Sequence, residues 1–292
     1  MKKFIINKIY LIGGFFSLVL SLLLLISLIH KIHRSSGIEK FKKDIPNAAQ
    51  KIWIDKDQDS VLVYRHGRKW KNNYGQSYSI NLTVRHQDVI YAKNSHKMMN
   101  PIGLRSFWGE LYAQMAKESS PRLDLIFDAF YQIYQQQVMT PDRFAEMMVS
   151  CIQNIPYSLV FQEPCQEAKA YDGWIQEVLS ECPDCCIGQQ AFGLQTPLGF
   201  MQNLKGDCDT RTVLLFSLFS AFNYDVAILN SDAYRHSILG INLPSSGKYK
   251  LLQGKKYAVW ETTAPNHTLG SLPPQIGNMN LWNIVLTHTP EL

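Results

Sequence analysis

A cysteine at the mouth of an apolar helix, followed by one histidine at the head of an apolar strand, constrains this chain more than any other feature. Gly206-Asp207-Cys208-Asp209-Thr210 leads into Thr212-Val213-Leu214-Leu215-Phe216-Ser217-Leu218-Phe219, which is apolar on nearly every face. A helix of that composition must lie inside a core. Asn223, one of the few non-glycine residues that tolerates the left-handed conformation, marks its end. Strands are then expected over residues 225–229, 236–241 and 257–260 as an antiparallel meander, with a last strand over 281–286.

The chemistry follows from the cysteine. A thiol attacks as its thiolate, and the unpaired N–H groups and dipole at a helix start lower a thiol pKa. The sequence therefore predicts Cys208 as nucleophile and His236 as its base. Glu261, in Trp260-Glu261-Thr262-Thr263, is expected to orient the imidazole, with Asp232 as a substitute acid. The oxyanion of a tetrahedral intermediate needs donors: the Cys208 N–H is one, and a side-chain amide, Gln153 or Gln202, is the expected second. Asp207 and Asp209 either cap the helix or bind the amine end of a substrate. Each residue also has a plainer reading: Cys208 as a small buried hydrophobe, His236 as a core histidine, Glu261 as a solvent-facing strand residue. The histidines at 66, 86, 96 and 267 are expected at the surface, and Cys151 as a buried thiol.

Taken in order, Gly206-Asp207-Cys208-Asp209, Asn223-Tyr224-Asp225-Val226-Ala227, the strand bearing His236, and Trp260-Glu261-Thr262-Thr263 resemble the transglutaminase-like superfamily. Gln153-Asn154-Ile155-Pro156-Tyr157 resembles the segment that precedes the core in bacterial members. The likeness covers roughly residues 140 to 265. It implies an α+β, papain-type fold in which a Cys-bearing helix packs on an antiparallel sheet that carries the His and the acid. It also implies Cys208, His236 and Glu261 as the catalytic set. The departure is Glu261, where the family has Asp, a side chain one methylene shorter.

The amino terminus carries the second strong signal. From Ile9 to Ile29 the chain holds no charge, and about 20 apolar residues span a bilayer as a helix. The run exceeds the apolar core of a signal peptide, and no small-x-small cleavage site follows it. The expectation is a single-pass anchor in a lipid bilayer. Lysines flank both ends of it, so the charge balance hardly decides orientation; a short tail before a large domain favours the external, periplasmic side. The formal charge of +5 includes Lys2, Lys3 and Lys8, and no block of like charge follows the anchor, which argues against a nucleic-acid partner.

At 292 residues the chain can build one substantial core plus a small module. Residues 1–34 are read as tail and anchor, 35–100 as a β-rich accessory segment, and 101–292 as the transglutaminase-like domain. In the accessory segment, Val61-Leu62-Val63-Tyr64 and residues 78–85 read as strands, with Val89-Ile90-Tyr91-Ala92 continuing the hairpin. Helical stripes follow at Phe107, Trp108, Leu111, Tyr112, Met115 and at Leu125, Ile126, Phe130, Ile133, Tyr134. Thr140-Pro141 is a helix start with a capping hydroxyl. Cys165, Cys182, Cys185 and Cys186 form a cluster with a single C-x-x-C, so disulfides on the external side fit better than zinc.

The function so expected is a membrane-anchored cysteine enzyme acting on amide bonds of proteins or peptides through an acyl-enzyme at Cys208. Hydrolysis, as a peptidase or amidase, is favoured; protein crosslinking and a non-catalytic binding or assembly module on the membrane are the alternatives. The chemistry needs no cofactor and no metal.

Overall fold

The computed structural model describes residues 50–56 and 59–290. The expected tail and anchor, residues 1–34 with the apolar run from Ile9 to Ile29, lie outside the described residues, as do residues 35–49 of the expected β-rich segment. Among the described residues no helix is long and apolar enough to cross a membrane.

The described residues form one compact α+β unit. A three-stranded antiparallel sheet opens it, in the order β1 (Gln50–Lys56), β2 (Asp59–Lys71), β3 (Ser77–Arg85). Four helices follow: α1 (His86–Lys97), α2 (Phe107–Ser119), α3 (Asp124–Gln137) and α4 (Pro141–Gln153). The hairpin's Trp70, Tyr78, Ile80 and Leu82 share one hydrophobic core with Leu111 and Met115 of α2, Ile126 and Phe130 of α3, and Met147 and Met148 of α4.

Val89-Ile90-Tyr91-Ala92 is helical, not a third strand of the hairpin. A strand would bury every second residue, whereas Val89, Ala92 and His96 are buried and Ile90 and Tyr91 are about half exposed, a helical spacing. At Thr140 the helix start is correct and Pro141 takes its first position, but no side-chain hydrogen bond forms from the Thr140 hydroxyl. His66 and His96 are buried, against the surface expectation. Each is paired with backbone carbonyls: His66 Nε2 lies 2.9 Å from Gln202 O, and His96 Nε2 2.9 Å from Ala191 O and 3.1 Å from Leu194 O.

Between α4 and the second sheet lie β4 (Leu159–Val160), α5 (Gly173–Glu181), β5 (Cys186–Ile187), α6 (Pro197–Asn203) and α7 (Cys208–Ala221). β4 and β5 pair in parallel, stapled by disulfides Cys165–Cys186 and Cys182–Cys185. α7 is buried along almost its whole length, as an all-round apolar helix requires. It ends where Asn223 adopts φ +60°, letting the Tyr224 N–H reach Phe219 O at 2.9 Å.

The second sheet holds β6 (Val226–Ser231), β7 (His236–Ile241), β8 (Tyr249–Leu252), β9 (Lys255–Trp260) and β10 (Asn283–His288) in the order β10-β6-β7-β9-β8. All pairings are antiparallel, and the three strands expected as a meander, β6, β7 and β9, lie side by side in chain order. β9 inserts beside β7, which sends the β8–β9 hairpin's first strand to one edge, while β10 returns to β6 at the other. The buried run Tyr257-Ala258-Val259-Trp260 explains this: it needs a neighbour on each side, whereas the mostly exposed Tyr249-Lys250-Leu251-Leu252 suits an edge.

Candidate active site

Cys208 is the first residue of α7, which packs on β6 and β7. Asp207 is the cap: its Oδ1 accepts from Thr210 N at 3.0 Å and from Thr210 Oγ1 at 2.8 Å. This settles the role of Asp207 as capping. Gly206 is required by close packing, because a Cβ there would stand 2.9 Å from Thr210 Cγ2 and 3.0 Å from the Phe200 ring. Its carbonyl accepts from Ser158 N at 3.2 Å and from Arg211 Nε at 3.0 Å. The chain leading into Cys208 is thus held from both sides.

His236 opens β7 and Glu261 follows the last residue of β9. Antiparallel neighbours bring the start of one strand beside the end of the other, and this is what unites residues 25 positions apart. His236 Nε2 lies 2.8 Å from Glu261 Oε2. The other carboxylate oxygen, Oε1, accepts from Thr262 N at 2.8 Å, Thr263 N at 2.8 Å and Thr263 Oγ1 at 2.7 Å. The extra methylene of Glu is therefore absorbed by curling the carboxylate back onto the two residues that follow. Glu261 is buried, while the His236 side chain keeps 16% of its surface exposed. Nδ1 is left as the ring nitrogen without a hydrogen-bond partner. Asp232 is exposed and takes no part in this pairing.

The Cys208 thiol lies against the backbone N–H of Ser237, the residue after His236. Burial, then Asp209 and Asp207, push this thiol well above its ordinary range, and the Ser237 N–H only partly offsets them. The helix start does not leave Cys208 as a resting thiolate, because two carboxylates share the same turn. Burial opposes charge on His236, but the hydrogen bond and charge of Glu261, with Asp209 and Asp207, outweigh it and raise the imidazole. Burial would likewise raise the Glu261 carboxyl, yet the bond and charge of His236 and the hydrogen bonds from Thr263 hold it down to about 2.

These shifts fix a pH dependence. Glu261 is held below its unfolded value, so its stabilisation is present above about pH 4.3 and fades as pH falls toward about 2. His236 is raised, so its contribution is present below about pH 6.5 and fades as pH rises through the folded value. The unfolding free-energy difference between wild type and Glu261→Gln, measured by urea titration, is expected to shrink across pH 4.3 to 2. A difference that stays constant there would contradict the pairing.

Gln153 is not free to serve as an oxyanion donor. Both protons of Gln153 Nε2 are committed, to Glu261 O at 2.6 Å and His267 O at 2.8 Å. Gln202 lines a small cavity with Val89, His96 and Asn203, which none of Cys208, His236 and Glu261 borders.

Three groups beside the site were given no role from the sequence. Arg211, fully buried one turn into α7, gives its hydrogen bonds to three backbone carbonyls: Gly206 O at 3.0 Å, Ile152 O at 2.8 Å and Pro156 O at 2.6 Å. Burial pulls this guanidinium down to about 10, against Asp207 and Glu261, which favour its charge. The buried Tyr112 hydroxyl donates to Asp209 Oδ1 at 2.5 Å and accepts from Asn230 Nδ2 at 3.1 Å. Tyr157 lies between Pro156 and Ser158, which bond to Arg211 and Gly206, and its ring centroid is 6.0 Å from that of the half-exposed Trp174. Arg211 carried a signal as a charge inside an otherwise apolar helix, and Tyr157 closes the Gln153–Tyr157 segment, but neither pattern says what the side chain touches.

The disulfide segment borders this region. Leu159 N donates to Cys185 O at 2.9 Å, and Lys205 Nζ donates to Asp184 O at 2.6 Å, three residues before Cys208. With all four clustered cysteines in disulfides, Cys151 and Cys208 are the free thiols among the described residues. No family model, no curated protein and no solved structure matches this chain.

Proposed function

We propose that the protein is a transglutaminase-like thiol enzyme that cleaves amide bonds of proteins or peptides through an acyl-enzyme at Cys208. The observation that carries this reading is the His236–Glu261 pair together with the Cys208 thiol at the start of α7, which lies against the N–H of Ser237, the residue next to His236. Glu261 accepts from His236 Nε2, so Nδ1 is the nitrogen left to take the thiol proton. The raised imidazole is a strong base and the raised thiol is neutral at rest. Proton transfer to His236 therefore accompanies attack of sulfur on the carbonyl carbon. His236 then returns that proton to the leaving amine, and water attacks the thioester in the second half of the reaction. The Cys208 N–H is the available oxyanion donor, and partial exposure of the imidazole gives water a route, which favours hydrolysis over crosslinking.

The proposal keeps the papain-type core and the anchor from Ile9 to Ile29, with the enzyme on the external side. The two disulfides support an oxidising compartment.

Alkylation by iodoacetamide tests the chemistry. Cys151 is pushed up to about 12 by burial, with Arg68 opposing. In the folded protein at pH 7.5 Cys208 is expected to alkylate at least ~10-fold faster than Cys151, as read by peptide mass spectrometry. Equal rates, or a Cys208 rate unchanged by His236→Ala, would refute an activated thiol and favour a non-catalytic module.

A further inference from the structure

The β2–β3 hairpin reaches the catalytic acid. Its turn is organised by Asn72, whose Oδ1 accepts from Tyr74 N at 3.0 Å and Gln76 N at 2.8 Å. The turn is clamped to α4 by the buried carboxylate of Glu146, which accepts from Asn72 Nδ2 at 2.7 Å and Asn73 N at 3.0 Å. Trp70 Nε1 donates to Ser150 Oγ at 3.1 Å, and Arg68 Nη2 to Asn154 O at 3.0 Å. Glu146, Ser150, Gln153 and Asn154 thus form a polar stripe at helical spacing, turned toward the hairpin.

From that stripe the contacts continue to Glu261. Asn73 Nδ2 donates to Gln153 Oε1 at 3.3 Å and to His267 O at 3.2 Å, while Asn73 Oδ1 accepts from Asn266 N at 3.0 Å. Gln153 in turn holds Glu261 O and His267 O. The partners fix both amide orientations: carbonyls demand the Gln153 nitrogen, and the Asn266 N–H demands the Asn73 oxygen. Such holding is needed because Glu261 has already left β9. No strand follows until Asn283, so nothing in the sheet ladder fixes its backbone.

We propose that Asn73 and Gln153 are positioning residues for the reaction, setting the carboxylate of Glu261 on His236, and that the hairpin is a working part of the active site. The inference rests on the thiol-enzyme reading above. Neither side chain touches the reacting atoms; each acts through the Glu261 backbone and its loop. A carboxylate displaced by a fraction of an ångström loosens its grip on His236 Nε2 and lets the ring turn away from the sulfur.

The test is the pH profile of Cys208 alkylation in the full chain. In wild type the rate rises as His236 loses its proton, and His236→Ala removes this limb. Asn73→Ala and the milder Asn73→Asp, which keeps the acceptor for Asn266 N but loses the donor to Gln153, are expected to slow alkylation by about 10-fold. They also move the limb to lower pH, because Glu261 no longer holds the imidazolium. Trp70→Phe is the structural control: it removes a hydrogen bond between the same hairpin and the same helix, lowers Tm, and leaves the limb in place. A wild-type limb that is unmoved in both Asn73 variants, or that moves equally in Trp70→Phe, overturns the positioning role alone. A wild-type profile with no His236-dependent limb overturns the thiol reading and the inference with it.

Discussion

Glu261→Gln is expected to lower kcat by about four orders of magnitude, the scale set by removing the acid from a hydrolase triad. The reason lies in the count of donors around Glu261. An ionised carboxylate only accepts, and here one oxygen serves Thr262 N, Thr263 N and Thr263 Oγ1 while the other serves His236 Nε2. Glutamine has one oxygen and one donor group. Three donors outcompete one, so the amide oxygen stays with the threonines and its NH2 faces His236. Nε2 must then accept, which places the ring proton on Nδ1, the nitrogen needed to receive the thiol proton. The fold survives, because the groups that pin the loop are unchanged. Turnover of a fluorogenic peptide and the alkylation rate of Cys208 should fall together, with Tm moving by only a few degrees. A variant retaining wild-type alkylation would show that Glu261 does not orient His236, and the catalytic reading would fail at its third member.

Arg211→Met is expected to destabilise the folded protein by about 3–5 kcal/mol, the cost of removing one partner from a buried charged network. Methionine fills much of the volume, so the loss is chiefly polar. The carbonyls of Gly206, Ile152 and Pro156 lose a donor together; Gly206 O keeps Ser158 N and Ile152 O keeps Ile155 N, and a buried group left without a partner costs about 1–3 kcal/mol. Asp207, which burial and Asp209 already push up to about 7, also loses a nearby positive charge. Equilibrium urea denaturation reads the effect as a lower midpoint with little change in slope. Arg211→Lys should recover only part of the stability, since one ammonium cannot match a planar fork aimed at three carbonyls. A loss below about 1 kcal/mol, the size of a single exposed contact, would mean that water replaces the guanidinium.

The helix from Cys208, its end at Asn223 and the strand from His236 were legible because each is written in local chemistry: a capping acid, an apolar run, a left-handed stop, a run of buried residues. The polar stripe on α4 was also written there, at residues 146, 150 and 153, but it was hidden behind the apolar face of Phe144, Met147 and Met148. Gln153 was expected to face an oxyanion, and it is instead the strut between Asn73 and Glu261. Periodicity located that side chain on a helix; it could not say which carbonyls would be waiting for it. The run at Val89 misled for a related reason, since Val-Ile-Tyr-Ala fits either period and only packing against the core selects the helix.

Local sequence specified the order of Cys208, His236 and Glu261 and the helix and strands that carry them, because helix caps and apolar runs act over a few positions. Tertiary structure alone decided what those residues do to one another. The insertion of β9 beside β7 brings Glu261 to His236, and the hairpin contact between Asn73 and His267 joins residues 194 apart. The state of the thiol was likewise settled in three dimensions. A helix start lowers a cysteine pKa by itself, but burial and the fields of Asp207 and Asp209 act through space and reverse it.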